Sequence, residues 1–193
     1  MRFTLTPSLR HAAAIGLAAA MATVAASALA AALKTDAAKS AVSATFKQLN
    51  VPVEAKFKKF NAQIDFDAAR PDAAKASVEI DVPSFDLGDP EYNKEVQKKE
   101  WFNGTQFPKA SFVSSSIKPA AGGRLDVAGK LTIKGKSADV AFPLTVKKEG
   151  NAQVFEGTLP IKRLAFNIGE GEWKDTSMVA DEVLIKFRVV TAQ

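Results

Sequence analysis

The sequence predicts an all-β fold, an eight-stranded antiparallel β-barrel with one short helix. Three observations carry this expectation. Arg124 to Val146 reads as two long strands about one tight turn. Short segments of period two recur along the rest of the chain with turn residues between them, the pattern of a sandwich or barrel. Only the stretch after Asp89 carries a helix-start signal. Eight strands close into a barrel just wide enough to be filled by side chains or to hold one small ligand.

The central hairpin sets the pattern. Leu125, Val127, Leu131 and Ile133 share one face with Gly129, while Asp126, Lys130 and Lys134 take the other. After Gly135, Val140, Phe142, Leu144 and Val146 alternate with Asp139, Pro143, Thr145 and Lys147. A period of two gives one apolar and one wet face. Gly135 stands where a tight hairpin needs positive φ. Gly129 leaves a gap in the apolar row, where a ligand or a large neighbouring side chain could approach the backbone.

In chain order, Ala31 to Asp36 is a short lead-in, and Lys39 to Lys47 is the first alternating strand. A turn region at Asn50 and Pro52 leads to Val53, Ala55 and Phe57, after which Phe60 changes parity. Gln63 to Phe66 and Ser77 to Val82 follow as strands across the loop Asp67 to Asp72. Asp89-Pro90-Glu91 supplies an N-cap, a proline at the first helical position and an acid at the positive helix end. A helix is expected from Pro90 to about Glu100. Trp101-Phe102 and Phe107-Pro108 then return the chain to the sheet as a plug, lid or gate. Ala110 to Ile117 precedes the hairpin, entered through Ala120 to Gly123. Gln153 to Ile161 follows it, with Ala165 to Ile168 as a continuation after a bend. Gly169 to Asp175 is a charged loop, and Glu182 to Thr191 closes the sheet.

The first 30 residues read as a secretory signal peptide. Arg2, Arg10 and His11 form a basic lead, Ala12 to Leu29 is uncharged, and Ala28-Leu29-Ala30 is a cleavage signal. With no Cys there is no lipoprotein anchor, and no Arg-Arg pair suggests a twin-arginine route. The expected address is the periplasm. Of 193 residues, 31–193 then form one domain, long enough to bury a core without disulfides. Removing Arg2 and Arg10 takes the formal charge from +5 to about +3. The lysines are scattered among acids, which is no nucleic-acid footprint. The only His, His11, leaves with the signal peptide. A mature chain with neither His nor Cys cannot build an ordinary zinc, copper or haem site, and it lacks the commonest general base. No enzyme, cofactor or metal is expected.

Four local matches carry little. Ser115-Ser116-Ile117-Lys118 fits S-x-x-K, but on a strand residues three apart face opposite sides. Gly169-x-Gly171 precedes no helix. Asp86, Asp89 and Glu91 lack calcium-loop spacing, and helix capping explains Asp89. Asn103-Gly104-Thr105 is a sequon but equally a turn. What remains is apolar: twelve of the thirteen Phe lie beyond Phe3, spread over nearly every strand. They make either a filled core or a hydrophobic tunnel.

The ordered motifs resemble the YceI-like family of secreted, lipocalin-like polyisoprenoid-binding proteins. Phe57-Lys58-Lys59-Phe60 with Gln63-Ile64-Asp65-Phe66-Asp67 resembles its F-x-x-F…F-x-F-D segment. Ser77 to Phe85 resembles its strand ending in a Ser-hydrophobe-Asp step. Trp101-Phe102 resembles its aromatic segment, and Phe107 to Ser114 its F/Y-P-x-A-x-F-x-S strand. Gly129 to Ser137 is similar to its G-x-L-T-[IL]-x-G-x-[ST] hairpin, and Phe166-Asn167-Ile168 and Val183 to Val189 to its closing segments. Two departures are Ala55, where the family commonly carries Gly, and the absence of a His in the first strand.

The resemblance implies an extended lipocalin-like barrel holding a long isoprenoid or similar chain. A ten-residue strand spans roughly 33 Å, comparable to such a chain. Strand parity then nominates Phe46, Phe57, Phe112, Leu131, Ile133, Phe142, Phe155, Ile185 and Phe187 as the lining, with Trp101 and Phe102 at the mouth. The expected activity is non-catalytic binding, transport or storage of a polyisoprenoid or other long-chain amphiphile in the periplasm. Transient membrane-surface contact and a homodimer are further partner options. The alternative is a filled-barrel interaction module supporting a membrane redox or stress-response partner.

Overall fold

The computed structural model describes residues 33–192. The expected signal peptide, residues 1–30, lies outside them. Eleven strand segments form one antiparallel sheet: β1 (Lys34–Thr35), β2 (Ala41–Gln48), β3 (Val51–Phe57), β4 (Phe60–Asp65), β5 (Lys75–Asp81), β6 (Phe85–Asp86), β7 (Lys109–Pro119), β8 (Arg124–Ile133), β9 (Lys136–Glu149), β10 (Ala152–Lys162) and β11 (Val179–Ala192). Their order is β4-β5-β7-β8-β9-β10-β11-β2-β3-β6, with β1 on β11. The sheet curls on itself. β1 pairs with β11, Leu33 bridges to Ile64 in β4, and Thr35 Oγ1 donates to the Ala62 carbonyl at 2.6 Å. These contacts carry the sheet from β11 back to β4 at one end.

The expected eight strands become eleven segments for two physical reasons. The lead-in contributes the short β1, and two long strands are interrupted. β3 and β4 are one path broken at Lys58-Lys59; β5 and β6 are one path broken by the 3-10 turn Val82–Ser84. Pro83 cannot donate to a ladder, so the pairing stops there. The two breaks meet: the Lys58 amide donates to the Ser84 carbonyl at 3.1 Å and the Lys59 amide to Ser84 Oγ at 3.0 Å. This joint is the origin of the parity change at Phe60. Asp86 pins it from outside, accepting from Lys58 Nζ at 2.6 Å and Asn93 Nδ2 at 2.7 Å. Those hydrogen bonds, Lys58 first, hold its carboxyl at a pKa of about 2.

The central hairpin forms in the expected register, from Arg124↔Thr145 to Ile133↔Lys136. Lys134 and Gly135 take φ of 48° and 72°, a two-residue turn with both φ positive whose twist matches the strands it joins. Leu49 and Asn50, at 49° and 64°, make the same turn between β2 and β3. In β7 the register shifts between Ser114 and Ser116. Ser115 is therefore a bulge residue, and it lets both Phe112 and Ile117 face the interior although they lie five apart.

Two expectations are corrected. The helix α1 spans only Pro90–Glu95, not to Glu100. Its start is as read, with Asp89 Oδ1 accepting from the Glu91 amide at 2.8 Å. Its end is set by tertiary contacts: the Glu100 carbonyl accepts from the Gly169 and Glu170 amides at 2.8 Å, and Phe102 packs edge-on to Phe85 at 5.2 Å. Ala165 to Ile168 is not strand either. Arg163–Phe166 is a 3-10 turn, and Asn167 follows at φ 56°. The buried Arg163 guanidinium gathers this loop around itself.

Candidate ligand cavity

The inward faces of β2–β5 and β7–β11 line a deep chamber of about 140 Å³. No charged side chain lines it, and Ser111 is its one polar lining residue. A row of three rings crosses it: Phe112 and Phe142 lie 5.5 Å apart, and Phe142 and Phe187 5.4 Å. Two glycines make room for the outer rings. A Cβ at Gly129 would stand 2.6 Å from the Phe112 ring, and one at Gly157 would overlap Phe187. The gap in the hairpin's apolar row is thus taken by a neighbouring phenylalanine.

A second chamber of about 310 Å³ lies at the end of the barrel covered by α1 and by the chain that follows it. Ala44, Phe46 and Val53 of β2 and β3 form one wall, Leu87, Tyr92 and Val96 another, and Ile168, Trp173 and Val179 a third. Gln48, Glu95 and Arg163 add polar groups that the deep chamber lacks. Phe57, Phe102, Ile133 and Ile185 line both chambers and form the partition between them.

Two buried cations fix this end of the barrel. Arg163 is 2% exposed. Its guanidinium donates to five backbone carbonyls: Ala180 (3.1 Å), Ile168 (2.8 Å), Gly169 (3.3 Å), Trp173 (2.7 Å) and Val179 (2.7 Å). It also lies 5.9 Å from the centre of the Trp101 ring, within cation–π range. Burial pushes its pKa down and the nearby Asp181 charge opposes this; a guanidinium stays charged through such shifts. Lys134 was expected on the wet face but is 9% exposed. At the first turn position its positive φ frees it from strand alternation. Its Nζ donates to the carbonyls of Lys99 (2.7 Å) and Asn167 (2.6 Å) and to Glu170 Oε2 (2.9 Å). The hydrogen bond from Lys134, then its charge, holds the Glu170 carboxyl below the usual glutamate range. Together the two cations pin the 99–102 and 163–180 segments across the barrel end.

All eleven residues nominated from the sequence line one chamber or the other. Phe112, Leu131, Phe142, Phe155 and Phe187 face the deep chamber alone. Phe46 and Trp101 face only the outer one, and Phe57, Phe102, Ile133 and Ile185 face both. Residue parity could not show that they divide into two groups. Parity also missed Arg163, Tyr92 and Trp173. Trp173 sat in a segment read only as a charged loop; its ring packs 5.2 Å from Trp101. Asp89 is accounted for as a helix cap and Asp86 as the pin of the strand joint.

Comparison with known proteins gives a consistent picture. The profile of the YceI-like domain matches residues 33–191. A UPF0312 protein of Ectopseudomonas mendocina is 32% identical over 118 residues, covering 58% of this chain and 62% of that protein. This chain thus spans less than two thirds of that curated relative. The crystal structure of Burkholderia cenocepacia BcnA superposes with a TM-score of 0.81 at 57% identity, over 82% of this chain and all of that one. A structure described as a polyisoprenoid binding domain from Saccharophagus degradans, implicated in plant cell wall breakdown, has a TM-score of 0.67 at 17% identity, covering 86% and 99%. At that identity the last likeness is one of fold.

Proposed function

This chain belongs to the YceI-like domain family, and from that membership and the cavity geometry we propose that it is a periplasmic carrier. It would bind a polyisoprenoid or similar long-chain amphiphile non-covalently and hold its apolar chain inside the barrel. The observation that carries this reading is the deep chamber, free of charged side chains and lined by aliphatic and aromatic ones. Apolar cavities of this kind favour apolar ligands, with a few polar groups near the entrance fixing orientation. The likeness to a polyisoprenoid binding domain supports a hydrophobic ligand. The periplasmic address rests on the signal-peptide pattern of residues 1–30.

Volume sets what fits. A dry cavity of about 150 Å³ holds one benzene-sized group, so the deep chamber matches roughly one isoprene unit. The outer chamber matches roughly two by the same measure. Chain length is therefore limited by cross-section, not by the length of the strands. With the side chains as placed, a longer chain continues through the mouth of the outer chamber. Burying one five-carbon unit is worth about 4 kcal/mol at 0.8 kcal/mol per carbon, before the cost of ordering the chain.

Tryptophan fluorescence tests the reading, because Trp101 and Trp173 both line the outer chamber and are the only tryptophans of the chain. Titration with farnesol should change the emission saturably, at one ligand per chain. A response that stays linear in farnesol, or no response, contradicts a defined site.

A further inference from the structure

We propose that Phe102 is the gate that decides how much of an isoprenoid chain enters the barrel, an inference that rests on the isoprenoid reading of the cavity. The partition between the chambers has four members, and three belong to strands. Phe57 ends β3 opposite Phe85, Ile133 ends β8 opposite Lys136, and Ile185 lies within β11 between Leu159 and Ala44. Their backbones are fixed by ladder hydrogen bonds on the sheet. Phe102 alone stands on irregular chain, in the connection between α1 and β7.

That connection holds Phe102 from one side. The Phe102 amide donates to the Val96 carbonyl at 3.0 Å, and Glu100 and Lys99 are tied to the 163–170 segment and Lys134. The ring itself meets Phe85 edge-on at 5.2 Å, a contact that a rotamer change can break and remake. Strand side chains in a packed wall move little, whereas a side chain on a short non-sheet segment can swing without disturbing a ladder. The outer chamber takes roughly two isoprene units as it stands. For a chain entering through the outer chamber, a third unit has to pass the partition at Phe102 to reach the deep chamber. Short chains then rest in the outer chamber with the gate shut, and longer ones load only when it turns.

The test is calorimetric titration and stopped-flow loading of geraniol, farnesol and geranylgeraniol, which carry two, three and four isoprene units. The wild-type chain is compared with Phe102→Leu and Phe102→Trp, and thermal unfolding confirms that each variant is folded. Phe102 also lines the outer chamber, so the readout is the difference between chain lengths: Phe102→Trp should weaken geranylgeraniol by about tenfold or more beyond whatever it does to geraniol, the loss expected when one apolar unit is partly excluded. Phe102→Leu should speed the loading of farnesol and geranylgeraniol relative to that of geraniol. If the tryptophan variant does not fold, the leucine variant decides alone. Equal effects on all three chains, or none, overturn the gate. Failure of the wild-type chain to bind any of the three overturns the isoprenoid reading instead.

Discussion

Replacing Arg163 by Met should lower the stability of the barrel by about 3–5 kcal/mol, the cost of leaving several buried carbonyls without a donor after partial rescue by water. The guanidinium supplies donors to five backbone carbonyls in three stretches, 168–169, 173 and 179–180, the last of them the start of β11. Met keeps much of the volume and none of the donors. Each carbonyl left buried without a partner costs about 1–3 kcal/mol, and water entering from the outer chamber recovers part of that. Domains of this size are stable by about 5–15 kcal/mol, so the loss is a large share. It should appear as a fall in melting temperature on the order of 10 °C. Arg163→Lys should lose less, because an ammonium has three donors and no planar fork. A loss below about 1 kcal/mol for Arg163→Met would mean that the loop does not depend on this residue.

Leu131→Trp should separate ligand binding from folding. Leu131 is 7% exposed and faces the deep chamber alone. The larger ring fills space that roughly one isoprene unit would occupy. Losing that unit should weaken a farnesol-length ligand on the order of a hundredfold, since five carbons are worth about 4 kcal/mol at most. The stability change should stay below the usual overpacking cost of about 1–3 kcal/mol, because the ring enters a void rather than packed atoms. Calorimetric titration and urea unfolding of the same preparation check both halves. Unchanged affinity would place the bound chain outside the deep chamber.

Much of this architecture is written in residue alternation. The apolar rows Val140-Phe142-Leu144 and Val183-Ile185-Phe187 can face only one way once the hairpin register is set, so the lining follows from parity. Ser115 and the joint at Lys58-Lys59 are different. Each changes parity by a local insertion, and nothing in the residues themselves marks a bulge as distinct from a turn. The division into two chambers is less legible still, because it depends on where Phe102 sits after α1 ends early. Arg163 and Lys134 look like ordinary surface cations in sequence. Arg163 is buried by carbonyls 5 to 17 residues further along its own loop and the start of β11, and Lys134 by groups 33 to 36 residues away; neither pairing is encoded in period-two alternation. The two glycines are a partial exception: a gap at Gly129 was visible, but the Phe112 ring that fills it belongs to the neighbouring strand.

The central claim, that the barrel carries a long apolar ligand, is tested most directly on the protein as a cell makes it. The chain is purified gently from the cells that make it, its bound lipids are extracted into organic solvent, and the extract is identified by mass spectrometry. The account predicts a prenyl or similar long-chain amphiphile near one per chain, depleted in a Leu131→Trp preparation. Repeated wild-type preparations that carry no such molecule, and that cannot be loaded with farnesol or a fatty acid afterwards, would contradict it.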